Sequence, residues 1–274
     1  RLSASRWAGP SCPRFLSGLV AAPHTMPKLF IFGLGYTARR IANALQSLGW
    51  EVVATGRNGN LSFDDVDGVR TALASSTHVL SSVPPDRESG LDPVLSTYGR
   101  DFGRAWYGYL SSTGVYGDAG GAWVDEHSPT GTGRRTARSD ADALWLELGA
   151  RVFRLPGIYG PDRSIFDRIR DGKAHRIDMP GQVFSRVHVD DIVGGVVAAL
   201  GSDAPAGAYN LGDDLPAGQN AVVEYACALL GVEPPPLVSL EDAGLSPMAR
   251  GFYAENRRVA NGKARRVLGW APRY

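Results

Sequence analysis

The segment that most limits what this chain can become is Lys28-Leu29-Phe30-Ile31-Phe32, which runs straight into Gly33-Leu34-Gly35-Tyr36-Thr37-Ala38. An apolar run of strand length opens onto a G-x-G-x-x-A turn. Behind it Ala38, Ile41, Ala42, Leu45 and Leu48 fall on one helical face. Gly49 ends that helix, and Glu51-Val52-Val53-Ala54-Thr55 has the composition of a second strand. Strand, glycine turn, helix and strand within ~30 residues is the pattern that cradles the pyrophosphate of a dinucleotide. Gly33 permits the tight turn, Gly35 lets the backbone approach phosphate, and Ala38 lets the helix pack closely on the strand. The free N–H groups at the helix start, around Tyr36 and Thr37, would hold the anion. The plainer alternative is that the glycines only shape a turn.

The remaining composition narrows the field. With 29 Lys and Arg against 28 Asp and Glu, the net charge of +1 offers no electrostatic case for nucleic acid or an anionic membrane. No stretch reaches the ~18 apolar residues of a membrane span. Two cysteines in 274 residues argue against a disulfide framework and for a reducing, cytoplasmic setting. Cys227 shares a helical face with Val222, Val223, Ala226 and Leu230, as a core thiol does. Residues 1–25 hold three arginines, no acid and a short apolar run, features that a targeting peptide would share. Met26-Pro27-Lys28 nevertheless sits where a native start would place the first strand, so residues 1–25 are expected to be extra sequence outside the fold. Residues 26–155 then form the dinucleotide-binding domain. Residues 156–274 interleave completion of the sheet with a smaller lobe, and the end at Pro272-Arg273-Tyr274 reads as a shortened C-terminus.

After the second strand an NAD site would carry an acid for the ribose hydroxyls, yet the chain has Gly56-Arg57-Asn58. The Arg57 guanidinium suits the 2′-phosphate of NADP, which makes NADP(H) the expected cofactor and NAD(H) the alternative. A solvated loop arginine is the bland reading. Asp65 and Val66 are placed to flank the adenine, unless Asp65 is simply a helix cap. Thr77–Val83 reads as a buried strand stopped by Pro84-Pro85, so Ser82, Val83 and Pro84 should touch the cofactor, with His78 structural at the far end. Gly172–Val187, with its Pro180-Gly181 turn, reads as a hairpin. Asp190 and Asp191 suit the N-cap and first turn of a helix, and a metal role for His188 beside them has no further ligand at the right spacing.

Ser111-Ser112-Thr113-Gly114-Val115-Tyr116-Gly117, taken with the glycine turn, resembles the short-chain dehydrogenase/reductase superfamily in its extended, epimerase/dehydratase-like form. Arg154-Leu155-Pro156-Gly157-Ile158-Tyr159-Gly160-Pro161, Val187-His188-Val189-Asp190-Asp191-Ile192 and Ala208-Tyr209-Asn210-Leu211-Gly212 resemble further family segments in the family's order. The resemblance implies a doubly wound, Rossmann-like parallel sheet with a C-terminal substrate lobe. It also implies Ser112 as the hydroxyl that meets the reacting oxygen, and Pro156 near the nicotinamide. One departure is decisive. The family's catalytic Tyr-x-x-x-Lys pair is missing: the only lysines are Lys28, Lys173 and Lys263, and none lies four residues after a tyrosine. Arg134 and Arg138 occupy the corresponding helix, and arginine is a poor general acid. Arg138 is assigned to an anion, cofactor phosphate or acidic substrate, with a solvated helix start as the alternative. Tyr116 is the nearest replacement donor, although a tyrosine in a Val-Tyr-Gly turn more often packs its ring. The expected function is an NADP(H)-dependent oxidoreductase or sugar-nucleotide epimerase/dehydratase-like enzyme with a small-molecule substrate and, as partner, at most a second copy of the chain. The rivals are a dinucleotide sensor or scaffold that lost its chemistry and, less apt, an S-adenosylmethionine methyltransferase.

Overall fold

The computed structural model describes residues 26–133 and 136–274, leaving the side chain of Met248 aside. The expectations for residues 1–25 and for Arg134 therefore lie outside the described residues. The chain order is β1 (Lys28–Phe32), α1 (Tyr36–Ser47), β2 (Glu51–Ala54), α2 (Val66–Ala74), β3 (His78–Ser81), α3 (Pro93–Tyr98) and β4 (Trp106–Ser112). It continues through β5 (Trp123–Val124), α4 (Thr136–Glu147), β6 (Arg151–Leu155), β7 (Gly157–Tyr159), α5 (Ile165–Arg170), β8 (Arg176–Ile177), β9 (Arg186–His188) and α6 (Val189–Leu200). The last part holds β10 (Gly207–Asn210), α7 (Gln219–Leu230), β11 (Leu237–Val238), α8 (Pro247–Phe252), β12 (Arg258–Val259) and α9 (Gly262–Leu268).

Six strands form one parallel sheet in the order β10-β6-β4-β3-β1-β2. Successive side chains on a strand face opposite ways, and the residues of β1 obey this strictly. Leu29 and Ile31 enter one apolar cluster with Ala38, Ile41 and Leu45 of α1, Ile192 and Val196 of α6, and Ala264 and Leu268 of α9. Phe30 and Phe32 enter the other, with Val69 and Leu73 of α2, Val94 and Tyr98 of α3, and Trp145 of α4. Both faces are thus covered by helices, which is why the strands read as continuous apolar runs rather than as alternating ones. The strand order switches sides between β1 and β3, so a crevice opens at the C-terminal ends of those strands, where ligands of doubly wound sheets bind.

Two expectations need adjusting. The stretch from residue 172 to 187 is no hairpin: β8 pairs in parallel with β11, and β9 in parallel with β7. The Pro180-Gly181 turn exists, with Gly181 at φ +78. The arm before it is held elsewhere, because the Asn220 side chain accepts the Ile177 N–H at 3.0 Å and donates to its carbonyl at 2.8 Å. The cap of α6 is His188, whose Nδ1 accepts the Asp190 N–H at 3.2 Å. Asp190 and Asp191 fall in the first turn instead. Near the end of the chain, Trp270 is buried and donates its indole N–H to the Asp191 carbonyl at 2.9 Å.

Candidate functional site

The glycine turn is held from below. Gly33, at φ +83, donates its N–H to Thr55 Oγ1 at 3.2 Å, Leu34 N–H donates to Thr55 O at 2.8 Å, and Ser82 Oγ–H donates to Gly33 O. A Cβ on Gly33 would lie 2.9 Å from Val83 Cγ2, so Ser82 and Val83 press against the turn from the end of β3. A Cβ on Gly35 would meet nothing within 4 Å. The two glycines therefore differ: one is filled against protein, and the other faces open space at the head of a helix that no side chain caps. That open, uncapped end with small residues is the cradle a pyrophosphate needs. Thr37 and Ala38 are buried beneath it. Tyr36 turns outward, donates its hydroxyl to Pro161 O at 2.8 Å, and carries the Arg163 guanidinium 4.2 Å above its ring.

Beside the turn, Gly56, Arg57 and residues 59–64 border a recess of about 510 Å³. Arg57 is exposed and makes no ion pair among the described residues. Asp65 is the N-cap of α2 and accepts the Gly68 N–H at 3.1 Å, so the cap explains it, and Val66 is exposed as the first residue of that helix. Pro84 leaves β3 exposed at the same edge.

Ser112 ends β4 and sits half-buried, in register with Leu155 just before Pro156. Its Oγ accepts the Gly114 N–H at 3.1 Å. A serine hydroxyl that spends a lone pair on the backbone keeps its proton for another acceptor. Tyr116 is different, being 3% exposed. Its hydroxyl donates to Asn210 Oδ1 at 2.7 Å and accepts from Arg154 Nη1 at 3.0 Å. Arg154 in turn grips Asp142 with two bonds, Nε to Oδ1 at 3.1 Å and Nη2 to Oδ2 at 2.7 Å, and Ser111 Oγ donates to the same carboxylate at 2.6 Å. Burial alone would lower the affinity of Arg154 for its proton, but the bonds and charge of Asp142 outweigh it and hold the guanidinium above the ordinary arginine range. Burial raises the Tyr116 phenol, against the opposing charge of Arg154. The geometry thus favours the packing role for Tyr116.

Arg138 lies half-buried on α4 and reaches the Tyr109 hydroxyl at 3.4 Å. Burial pushes the Tyr109 phenol up to about 12. Pro156 is buried at the end of β6, against Gly212. Sequence reasoning passed over Asp142, Asn210 and Asp213. A signal existed for the first: Asp142 interrupts the apolar stripe of Ala141 and Trp145, and Arg154 interrupts an equally apolar strand. Buried opposite charges on neighbouring elements have to find each other. Among the described residues, no group of three or more His, Cys, Asp or Glu side chains is placed to hold a metal ion, and no helix is long and apolar enough to cross a membrane.

No family model matches the chain. It is 31% identical over 165 residues to the 3-diazoavenalumate denitrifying reductase of a Streptomyces species, a match that takes in 56% of this chain and 53%, about half, of that relative. A functionally unknown conserved protein from Silicibacter pomeroyi superposes with a TM-score of 0.79 at 40% identity, covering 91% of this chain and 94% of that one. The human epimerase family protein SDR39U1, solved with NADPH, superposes with a TM-score of 0.73 at 16% identity, covering 90% and 95%, a likeness of fold.

Proposed function

We propose that this chain, whose fold is like that of the epimerase family protein solved with NADPH and whose motifs resemble the extended short-chain dehydrogenases/reductases, is an NADP(H)-dependent oxidoreductase acting on a small carbonyl or hydroxyl substrate. The observation that carries this reading is the open space over Gly35 at an uncapped helix start, on the same sheet edge as the Ser112 hydroxyl. A bound nicotinamide dinucleotide would supply the hydride chemistry. The residues of the chain do the rest. Backbone N–H groups of the α1 start, around Tyr36 and Thr37, hold the pyrophosphate, while Gly33, Ser82 and Val83 keep that turn rigid. Arg57, at the recess beside it, meets the 2′-phosphate. Ser112 orients the substrate oxygen with its free hydroxyl proton, a contact worth most as charge develops on that oxygen.

Titration of NADPH and NADH against wild type and Arg57→Ala tests the cofactor. A charge-assisted contact is worth roughly 1.5 to 3 kcal/mol, so NADPH should lead by about one to two decades in wild type and lose that lead in the variant. If the variant keeps the full preference, Arg57 does not meet the phosphate. For chemistry, Ser112→Ala should lower turnover on a screened carbonyl substrate while leaving NADPH affinity in place. Unchanged turnover would remove Ser112 from the active centre. The engagement of the Tyr116 hydroxyl in a buried network supports the second reading, a dinucleotide sensor, which becomes the better one if NADPH binds tightly and no substrate turns over.

A further inference from the structure

Reduction of a carbonyl needs a proton for the oxygen that receives the electron pair, and the phenols and acids at this sheet edge are mostly committed. The Tyr116 hydroxyl already donates to Asn210, Tyr109 is fully buried against Arg138, Asp142 is clamped by Arg154, and Glu126 accepts the Asn210 N–H at 2.7 Å. Asp213 differs. It leaves the sheet three residues beyond β10, where Leu211 N–H donates to Arg154 O at 3.2 Å and Asp213 N–H donates to Arg186 O at 2.7 Å. A Cβ on the intervening Gly212 would lie 3.7 Å from Pro156 Cγ. Ser112, Pro156 and Asp213 therefore exit three successive strands, β4, β6 and β10, at one edge. Two strand spacings are about 10 Å, so a substrate seated over β6 would have groups from both outer strands on either side of it.

The surroundings of Asp213 suit an acid. Its carboxyl accepts the Leu215 N–H at 3.2 Å and joins no salt bridge among the described residues. The groups that face it are Tyr159 of β7, Arg186 of β9, Asp191 of α6 and its neighbour Asp214. Arg186 points its guanidinium at Phe184 O and Ala217 O, both at 3.0 Å, and at Gln219 Oε1, so it does not clamp the carboxylate. Burial foremost, with the charges of Asp214 and Asp191, pushes the Asp213 carboxyl up to about 6, against the opposing Leu215 bond and Arg186 charge.

We propose that Asp213 donates the proton to the substrate oxygen and so replaces the absent Tyr-x-x-x-Lys pair, an inference that rests on the oxidoreductase reading above. The carbonyl carbon gains its C–H bond with a hydride from a reduced nicotinamide dinucleotide. The π pair passes to oxygen, the Asp213 O–H bond breaks to complete the hydroxyl product, the dinucleotide leaves oxidised, and a proton taken up from solvent as hydronium restores the carboxyl. Efficiency in such a transfer is greatest when the acid titrates near the working pH.

Carbon-13 labelling of the aspartate carboxyls, with Asp213→Asn to assign the resonance, tests this on the whole protein. The Asp213 carboxyl should titrate near pH 6, and its midpoint should lie about half a unit or more lower with NADP⁺ bound than with NADPH, because the oxidised ring adds a positive charge beside it. Asp213→Asn should keep the NADPH Kd, lower turnover of 4-nitrobenzaldehyde as probe by roughly 10² to 10⁴-fold, and lose the fall in rate that wild type has above pH 6. A midpoint in the ordinary carboxylate range, equal midpoints in the two complexes, or an unchanged pH profile in the variant would overturn the inference. Failure of wild type to bind NADPH is a separate result: it would overturn the oxidoreductase reading, and this one with it.

Discussion

At the scale of single residues, the buried chain Ser111–Asp142–Arg154–Tyr116–Asn210 ties α4 to three strands, β4, β6 and β10, and to the turn behind Ser112. Tyr116→Phe keeps the ring but strands two buried partners, so it should cost roughly 1 to 3 kcal/mol in denaturant unfolding while NADPH affinity stays the same. Asp142→Ala leaves a buried guanidinium without its counter-ion and should cost roughly 3 to 5 kcal/mol. Equal stability of wild type and Asp142→Ala would mean that the pair contributes nothing net. The Asp213 carboxyl also has a stability signature. Its folded pKa of about 6 lies above the unfolded value, so the folded state holds the proton more tightly, and the stability this brings at low pH is lost as pH rises through about 6. Asp213→Asn should therefore show a Tm advantage over wild type that opens between pH 4 and pH 6 and persists at pH 8. A gap independent of pH would contradict the raised carboxyl. Ser112 was readable in the sequence because it belongs to a motif. Asp213 was not, since its environment comes from Tyr159, Arg186 and Asp191, far away in the chain.

At the scale of elements, the β1–turn–α1 unit was legible because each of its residues answers a local demand: apolar strand, positive φ, helical stripe. The structure separates two glycines that the motif alone treats alike. Gly33→Ala combines φ +83 with a 2.9 Å clash and should destabilise the fold measurably. Gly35→Ala has open space for its methyl and should leave Tm unchanged while abolishing tight NADPH binding, as read by fluorescence titration. Tight binding by Gly35→Ala would place the pyrophosphate elsewhere. The expected hairpin at residues 172–187 misled for a physical reason. A Pro-Gly turn specifies a reversal of direction, whereas pairing partners are chosen by distant segments, here β11 and β7. The cap of α6 was displaced likewise, because a histidine accepting through Nδ1 can replace an aspartate.

At the scale of the molecule, the six-stranded sheet lies between two apolar clusters, while the C-terminal lobe leans on two-residue strands and short helices. Hydrogen exchange should find the amides of β1, β4 and β6 near global protection, and those of β8 and β11 exchanging far sooner through local opening. Equal protection would mean that lobe and sheet open as one unit. The layered sheet could be read from the run of apolar strands, whereas the lobe could be expected but not its individual elements, because strands of two residues leave no periodicity to detect.

The fastening of the segment after Ser112 has a consequence in time. Ala119 and Gly121 donate their N–H groups to Asn256 O at 3.0 and 2.9 Å, Asn256 N–H donates to Asp118 Oδ1 at 2.8 Å, and Arg258 N–H donates to Ala122 O at 2.9 Å. The Asp118 partner lies 138 residues further along the chain. At a synthesis rate of roughly 5 to 20 residues per second, that interval is about 7 to 28 s. During translation the glycine turn of β1 and α1 can close early, on sequence already made, while the segment after Ser112 waits for residues 256–258 to leave the ribosome. A nascent chain would thus complete the turn at the head of α1 well before it could fasten the segment that follows Ser112.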